Sequence, residues 1–208
     1  MIDVHAPDHK LQGVRDFLMH LLVITAGLLI ALALENAAEA VHHRHQRKEA
    51  ETLIRQELAN NRDTVQEGTA DLQKEIAAMA AMLGALDARS EGKPATLPKP
   101  EDLQFREISI PDAAWSTAST TGALSYMEYG EVERFSQAYK EQEQLQRMEE
   151  IAANDYMQLM PILHPYSADI SPESAKEALQ YARNAIGHLS GLYSIGDGTM
   201  RSYNDALK

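Results

Sequence analysis

The sequence predicts an all-α protein: one N-terminal transmembrane helix that continues into a long stem helix, with a small three- to four-helix bundle completing the chain. Three observations lead there. Phe17 to Leu34 is an apolar run of eighteen residues without a formal charge. Beyond it, Leu58, Val65, Leu72, Met79 and Leu86 recur every seven residues, a helical period. Strand signals are confined to an imperfect alternation at Leu103, Phe105, Ile108 and Ile110.

Residues 1–16 read as an N-terminal tail and 17–36 as the transmembrane helix. At about 1.5 Å per residue the apolar run is roughly 27 Å long, enough for a hydrocarbon core of about 30 Å. A core helix of a soluble domain would carry a polar stripe, which this run lacks. The sharper rival is a cleaved signal sequence, with Lys10 and Arg15 as its charged region and Ala31-Leu32-Ala33 as a small-x-small processing site. Against it, Glu35 to Ala40 continue as good helix formers with no turn signal, so the span reads as the start of one long helix.

Residues 37–88 form the stem. Ile54, Ile76, Met82 and Leu83 support its heptad stripe, while the opposite seam is polar at Asn61, Gly68 and Glu75. A stripe this narrow fits packing inside a bundle better than a self-sufficient coiled coil. Residues 89–109 hold Gly92, Pro94, Pro98 and Pro100 and read as a flexible, Pro-rich connection. Residues 110–208 complete the bundle with the stem. Ser109 or Asp112 can cap a short helix with Pro111 in its first turn, burying Trp115 and Ala118 and stopping at Gly122.

A longer helix from about Gly130 to Leu163 turns Val132, Phe135, Tyr139, Met148, Ala152, Tyr156, Leu159 and Leu163 inward. Its Lys140 to Gln144 stretch faces water, and Pro161 and Pro165 end it. Ser171-Pro172-Glu173 starts the last helix, with Ser as N-cap, Pro at the first helical position and an acid in the first turn. Ala175, Leu179, Ala182, Ile186, Leu189 and Tyr193 follow in phase, then Met200, Tyr203 and Leu207. Gly196-Asp197-Gly198 therefore reads as a kink or frayed turn rather than a new element.

The chain has 208 residues with 19 Lys and Arg against 31 Asp and Glu, one domain's worth of sequence with a net charge of −12. That charge excludes a general nucleic-acid binder, which needs clustered cations facing phosphates. The absence of cysteine excludes disulfides, thiol nucleophiles and thiolate metal sites. Residues 1–48 are balanced, with Lys10, Arg15, Arg44, Arg47 and Lys48 against Asp3, Asp8, Asp16, Glu35 and Glu39, so the whole excess lies between Glu49 and Lys208.

Thr25-Ala26-Gly27-Leu28-Leu29-Ile30-Ala31-Leu32-Ala33-Leu34-Glu35, then His42-His43-Arg44-His45-Gln46, then Glu57-Leu58 with Asn60 and Asn61, resembles an uncharacterised family of bacterial single-span membrane proteins. In that family a glycine-led apolar helix ends in a glutamate and runs into a charged helical stem. Ala114-Trp115, Gly122-Ala123-Leu124 and Tyr139 are similar to a second pattern farther along such proteins. The resemblance covers residues 14–62, more weakly 110–145, and implies a membrane protein without implying an activity. It places the chain in a bacterial inner membrane, single-pass. Arg44, Arg47, Lys48 and Arg55 after the span slightly outnumber Lys10, Arg15 and the terminal amine before it, which favours a cytoplasmic C-terminal domain. The usual arrangement of single-span bacterial proteins with a short tail favours export instead, and the periplasmic orientation is the one taken.

Two sets of residues stand out as sites. Gly27 and Ala31 have the small-xxx-small spacing that lets helix backbones approach, and with Leu34 they form a partner-helix contact. His42, His43, Arg44, His45, Arg47 and Lys48 form a collar at lipid headgroup level. Glu39 and His42 share the Glu-x-x-His spacing of di-iron bundles, but no second such motif accompanies them, and His42, His45 and Glu49 would hold a lone ion weakly. His20, four residues after Asp16, snorkels to the interface, and Glu35 closes the run at the other side. No metal and no cofactor are expected.

For catalysis the sequence offers no G-x-S-x-G, P-loop, G-x-G-x-x-G or HExxH motif. His188 and Ser190 point apart on a helix, and Glu141, Glu143 and the Glu149-Glu150 pair read as a solvated face. Trp115, Tyr126 and Tyr129 are a candidate cleft, although Trp115 reads better as a core anchor. The chain is not expected to be an enzyme. The leading reading is a membrane-anchored interaction protein, an accessory or stabilising subunit of a larger membrane complex, whose partners are the lipid bilayer and other membrane-protein subunits or a second copy. The alternative is a ligand-sensing bundle acting through a partner subunit; a metal protein built on the histidines ranks third.

Overall fold

The computed structural model describes residues 13–99, 103, 105–163 and 170–208. Lys10 and most of the expected tail, Pro100 and Pro165 lie outside them. The protein is all-helical, with no strand among the described residues. Its chain divides into two compact units, Met1–Lys48 and Glu49–Lys208. One helix, α1 (Val14–Ser90), begins three residues before the apolar run and ends two residues past Ala88. It is followed by α2 (Ala113–Thr120), a single 3-10 turn (Ala123–Tyr126), α3 (Tyr129–Leu163) and α4 (Pro172–Ala206).

In the second unit, the heptad residues of α1 are buried as expected: Ile54, Leu58, Val65, Leu72, Met79, Met82 and Leu86 face the core. Ile76 and Leu83 flank that stripe, half-buried. The polar seam is not turned to water, however. Asn61 and Glu75 are buried beside the apolar stripe, so α1 presents a two-residue-wide inward face. The helix stops in a Schellman motif: Gly92, with φ +75°, is the left-handed residue, its N–H donates to Arg89 O at 2.9 Å, and Lys93 N–H donates to Ala88 O at 2.9 Å.

The connection is anchored where flexibility was expected. Leu97, Leu103, Ile108 and Ile110 are all buried, and Phe105 packs its ring 5.3 Å from that of Tyr156. The alternation that is imperfect for a strand is sufficient to bury one side of an irregular segment, because the backbone groups find side-chain partners on the neighbouring helices. Capping of α2 also differs from expectation. Asp112 occupies the N-cap position without a side-chain bond, Pro111 lies outside the helix, and the free N–H of Ala114 donates instead to Glu57 Oε2 of α1 at 2.9 Å. Gly122, with φ +75°, ends that helix. Ala118 is buried and Trp115 half-buried.

Most buried positions of α3 form two heptad rows, Phe135, Gln142, Glu149, Tyr156 and Leu163, and Ala138, Leu145, Ala152 and Leu159, with Tyr139 and Asp155 beside them. Gln142 and Glu149 are therefore inside, against the expectation that the Lys140 to Gln144 stretch and the Glu149-Glu150 pair face water; Lys140 and Glu150 do. Val132 and Met148 are half-buried. Pro161 lies within the last turn rather than ending the helix, since so near the end its missing N–H forfeits only the bond to Met157 O.

The inward face of α4 pairs Ala175, Ala182, Leu189, Gly196 and Tyr203 with Ala178, Ala185, Leu192, Thr199 and Ala206. The expected Ile186, Tyr193, Met200 and Leu207 sit one position off, half-buried. Small residues in both rows let α4 come close: a Cβ on Gly196 would lie 2.6 Å from Thr69 Cγ2 of α1. The helix continues unbroken through Gly196-Asp197-Gly198. Ser171 caps it as expected, its Oγ accepting the Ser174 N–H at 3.1 Å. Ser171→Ala should cost roughly 1 kcal/mol of unfolding free energy, read from thermal unfolding of the purified chain; an unchanged midpoint would show that water replaces the cap without loss.

Arg55 of α1 joins three helices. Its guanidinium meets Glu131 in the first turn of α3 at 2.5 Å, Ala206 O at the end of α4 at 3.4 Å, and lies 5.4 Å from the centre of the Phe135 ring. A cation near a helix C-terminus and an acid at an N-terminus both suit the helix dipoles.

Candidate functional site

In the first unit the apolar run of α1 is fully exposed, with none of its membrane-length window buried. By length and composition it is a candidate membrane span. Two polar side chains within it bond their own backbone: Thr25 Oγ1 donates to Leu21 O at 2.8 Å, and one of the two His20 ring nitrogens, Nδ1, lies 2.9 Å from Asp16 O. That is what a helix surrounded by hydrocarbon requires, because no water is there to bond a side-chain donor. Gly27, Ala31 and Leu34 fall within about 60° of arc on one face. No atom lies within 4 Å of where a Gly27 Cβ would stand, so this face is open.

His42, His43, Arg44, His45, Arg47 and Lys48 are distributed around the whole circumference of α1, as an electrostatic band rather than a one-sided pocket. Glu39 Oε1 lies 3.7 Å from His43 Nε2, one turn on, instead of pairing with His42. The rings of His42 and His43 are tilted, 6.2 Å apart. Among the described residues no three His, Asp or Glu side chains are grouped to hold a metal ion.

The second unit has a buried polar network that ties the connection to α1 and α3. Gln142 is its hub: Oε1 accepts from Asn61 Nδ2 at 3.0 Å and from the Tyr203 hydroxyl at 2.8 Å, while Nε2 donates to Ile110 O at 3.1 Å and Pro111 O at 3.0 Å. Asn61 also donates to Pro111 O at 2.7 Å, and Gln146 to Ile110 O at 3.0 Å. Glu57 Oε1 accepts the Tyr139 hydroxyl at 2.6 Å. Burial, then the neighbouring Glu57, push the Tyr139 and Tyr203 hydroxyls well above their usual range, so both remain donors.

Farther along α1, Glu75 accepts the backbone N–H of Arg106 at 3.3 Å, and Glu149 of α3 accepts that of Ile108. Both acids are more than nine-tenths buried, and burial raises each from 4.5 to about 7. Beside Glu149 lies a cleft of about 670 Å³ lined also by Phe105, Ile108, Ile110 and Gln146 among others.

The expected aromatic cleft is only partly assembled. Trp115 stacks on Tyr139 with centroids 5.2 Å apart, and the two line a groove of about 450 Å³ with Asp112, Lys140 and Glu143. Tyr126 and Tyr129 are exposed and belong to no such lining. His188 does not face Ser190; its Nδ1 lies 2.5 Å from Asp155 Oδ2 of α3. The sequence places Asn61 and Glu75 on a polar seam and Gln142 and Glu149 on water-facing surfaces, whereas all four are buried. The signal for them is present in the heptad spacing: Asn61 and Glu75 fall on the row of Met82, and Gln142 and Glu149 on that of Phe135 and Tyr156. The chain matches no protein-family model, no curated protein and no solved structure.

Proposed function

We propose that this chain is a membrane-anchored helical interaction protein, an accessory or stabilising subunit of a larger bacterial inner-membrane complex, with its C-terminal bundle in the periplasm. The observation that supports this reading is the fully exposed apolar run, in which Thr25 and one ring nitrogen of His20 bond the helix's own backbone, with an open face at Gly27, Ala31 and Leu34. Lipid covers most of such a helix. A small-residue face adds a place where a second helix, from another subunit or another copy, approaches closely. The collar from His42 to Lys48 begins about 12 Å beyond Leu34, where Arg and Lys lean back toward the headgroups and act on anionic lipid within a Debye length of about 8 Å.

The test is to tag the C-terminus, extract native membranes in mild detergent and determine by mass spectrometry what co-migrates and in what ratio. A partner at fixed stoichiometry is the expected result, and a lone monomer would sink the proposal. Gly27→Leu should weaken that assembly about tenfold, an effect of about 1.4 kcal/mol, while membrane insertion is retained. Unchanged complex size would place the contact elsewhere on the chain. The sensing alternative draws on the 670 Å³ cleft beside the connection, and a thermal shift with a small solute would favour it.

A further inference from the structure

Residues 105–108 are strapped across α1 and α3 by two carboxylates, while Asn61, Gln142 and Gln146 hold the carbonyls of Ile110 and Pro111. Arg106 and Ile108 stand two apart on this irregular segment, and each offers a backbone N–H. Glu75 and Glu149 take those two donors. Among the described residues no cation is bonded to either acid: the Arg106 guanidinium is engaged by Asp71 Oδ2 at 2.8 Å. Oε2 of Glu75 is buried with no hydrogen-bond partner, and so is the hydroxyl of Tyr156, which lies within its electrostatic reach. An ionised carboxylate with one bare oxygen in a dry interior is costly, and a second acid in its field adds to the cost.

We propose that Glu75 and Glu149 form a proton-controlled clamp, which holds residues 105–108 down while the acids are protonated and releases them when both ionise, uncovering Gly68 and Glu75 on α1. A protonated acid still accepts a backbone N–H through its carbonyl oxygen, so the strap is kept without a buried charge. Ionisation removes that advantage. Glu149 already borders the cleft, and lifting the segment lets water reach Glu75 as well while Arg55, Glu131 and Ala206 keep α1, α3 and α4 joined.

The charged and titratable groups around the pair mostly act in the same direction. Burial dominates for both acids; Asp71 and Glu149 raise Glu75 further, Glu107 raises Glu149, and only the charge of Arg106 and the backbone bonds oppose them. On α1, Lys74 is paired with Asp71 at 2.7 Å. From α4 come His188, bonded to Asp155 one residue before Tyr156, and Tyr193, whose hydroxyl accepts from Gln73 at 2.8 Å. Both acids lie near 7 in the closed form against 4.5 when open to water. A group whose pKa is raised on closing stabilises the closed form fully below the open value and loses that contribution as pH rises through the closed one. The clamp is therefore tight below about pH 4.5 and slackens through about pH 7.

Hydrogen exchange of the full-length chain in detergent micelles tests this, following peptides that cover 103–112 from about pH 5.5 to about pH 8 after correction for intrinsic exchange. The opening equilibrium of this segment should rise by more than about tenfold in the wild type. It should stay flat in Glu75→Gln/Glu149→Gln, and rise as in wild type in His188→Gln. No rise in the wild type, or a rise that survives in the double variant or vanishes in His188→Gln, would overturn the clamp. Infrared difference spectra of the wild type give a readout independent of whether the variants fold. A carboxylic-acid carbonyl band that titrates near pH 7 supports the clamp, and a band lost entirely near the ordinary glutamate value rejects it.

Discussion

Gln142→Ala should lower the stability of the bundle by about 3 kcal/mol. The side chain is 2% exposed and makes four hydrogen bonds, joining Asn61 of α1, Tyr203 of α4 and two carbonyls of the connection. Truncation leaves the Tyr203 hydroxyl without an acceptor and Ile110 O and Pro111 O each with one donor fewer. It also opens a cavity. An orphaned buried group costs about 1–3 kcal/mol and the missing side-chain volume adds to that. Urea unfolding of the purified chain, followed by near-ultraviolet circular dichroism of Trp115 stacked on Tyr139, measures the loss. A change below about 0.5 kcal/mol, the range of ordinary surface substitutions, would mean that water fills the site and that Gln142 is not the hub.

The second large effect is expected at Gly196. Replacing a helical Gly by Ala ordinarily gains up to about 1 kcal/mol. Here the sign should reverse, because the new methyl would stand 2.6 Å from Thr69 Cγ2. Thr69 cannot swing aside cheaply: it is buried, β-branched, and its hydroxyl donates to Gln66 O at 3.0 Å. Overpacking of this kind costs roughly 1–3 kcal/mol, so a net loss of about 2 kcal/mol is expected for Gly196→Ala. Thr69→Ser removes the offending methyl and keeps the hydroxyl, and should restore most of the loss in the double variant. Additive effects of the two substitutions would show that the helices do not meet at this point.

The class of fold is legible in the sequence because helical period and capping are local properties. The Ser171 cap, the Leu58 to Leu86 stripe and the absence of a new element at Gly196 to Gly198 follow from residue type and spacing alone. What escapes is the polar half of the core. A reading that looks for apolar residues at heptad positions passes over Asn61, Glu75, Gln142 and Glu149, although these hold the same positions. Their partners are backbone groups of the connection, 31 to 50 residues away, and an irregular segment has no period that would announce them. The membrane-length run and the His42 to Lys48 band are legible for the opposite reason: each is a composition signal contained within one stretch of chain. The carboxylates of the clamp become recognisable only when α1, α3 and residues 105–108 are brought together.

The capping of α2 by a distant residue sets an order of events during folding. With no side-chain cap from Asp112, and only eight residues in length, α2 has little tendency to form alone. Its acceptor is Glu57, 57 residues earlier in the chain, whose other oxygen is bound by Tyr139, 82 residues from it. Closing loops of this length precedes any return from the bonds that they allow. The helix must therefore wait for α1 and α3 to dock, and a chain still emerging from the ribosome carries residues 113–120 unstructured until α3 has been made. Substitutions in α2 should accordingly speed unfolding while leaving the folding rate nearly untouched.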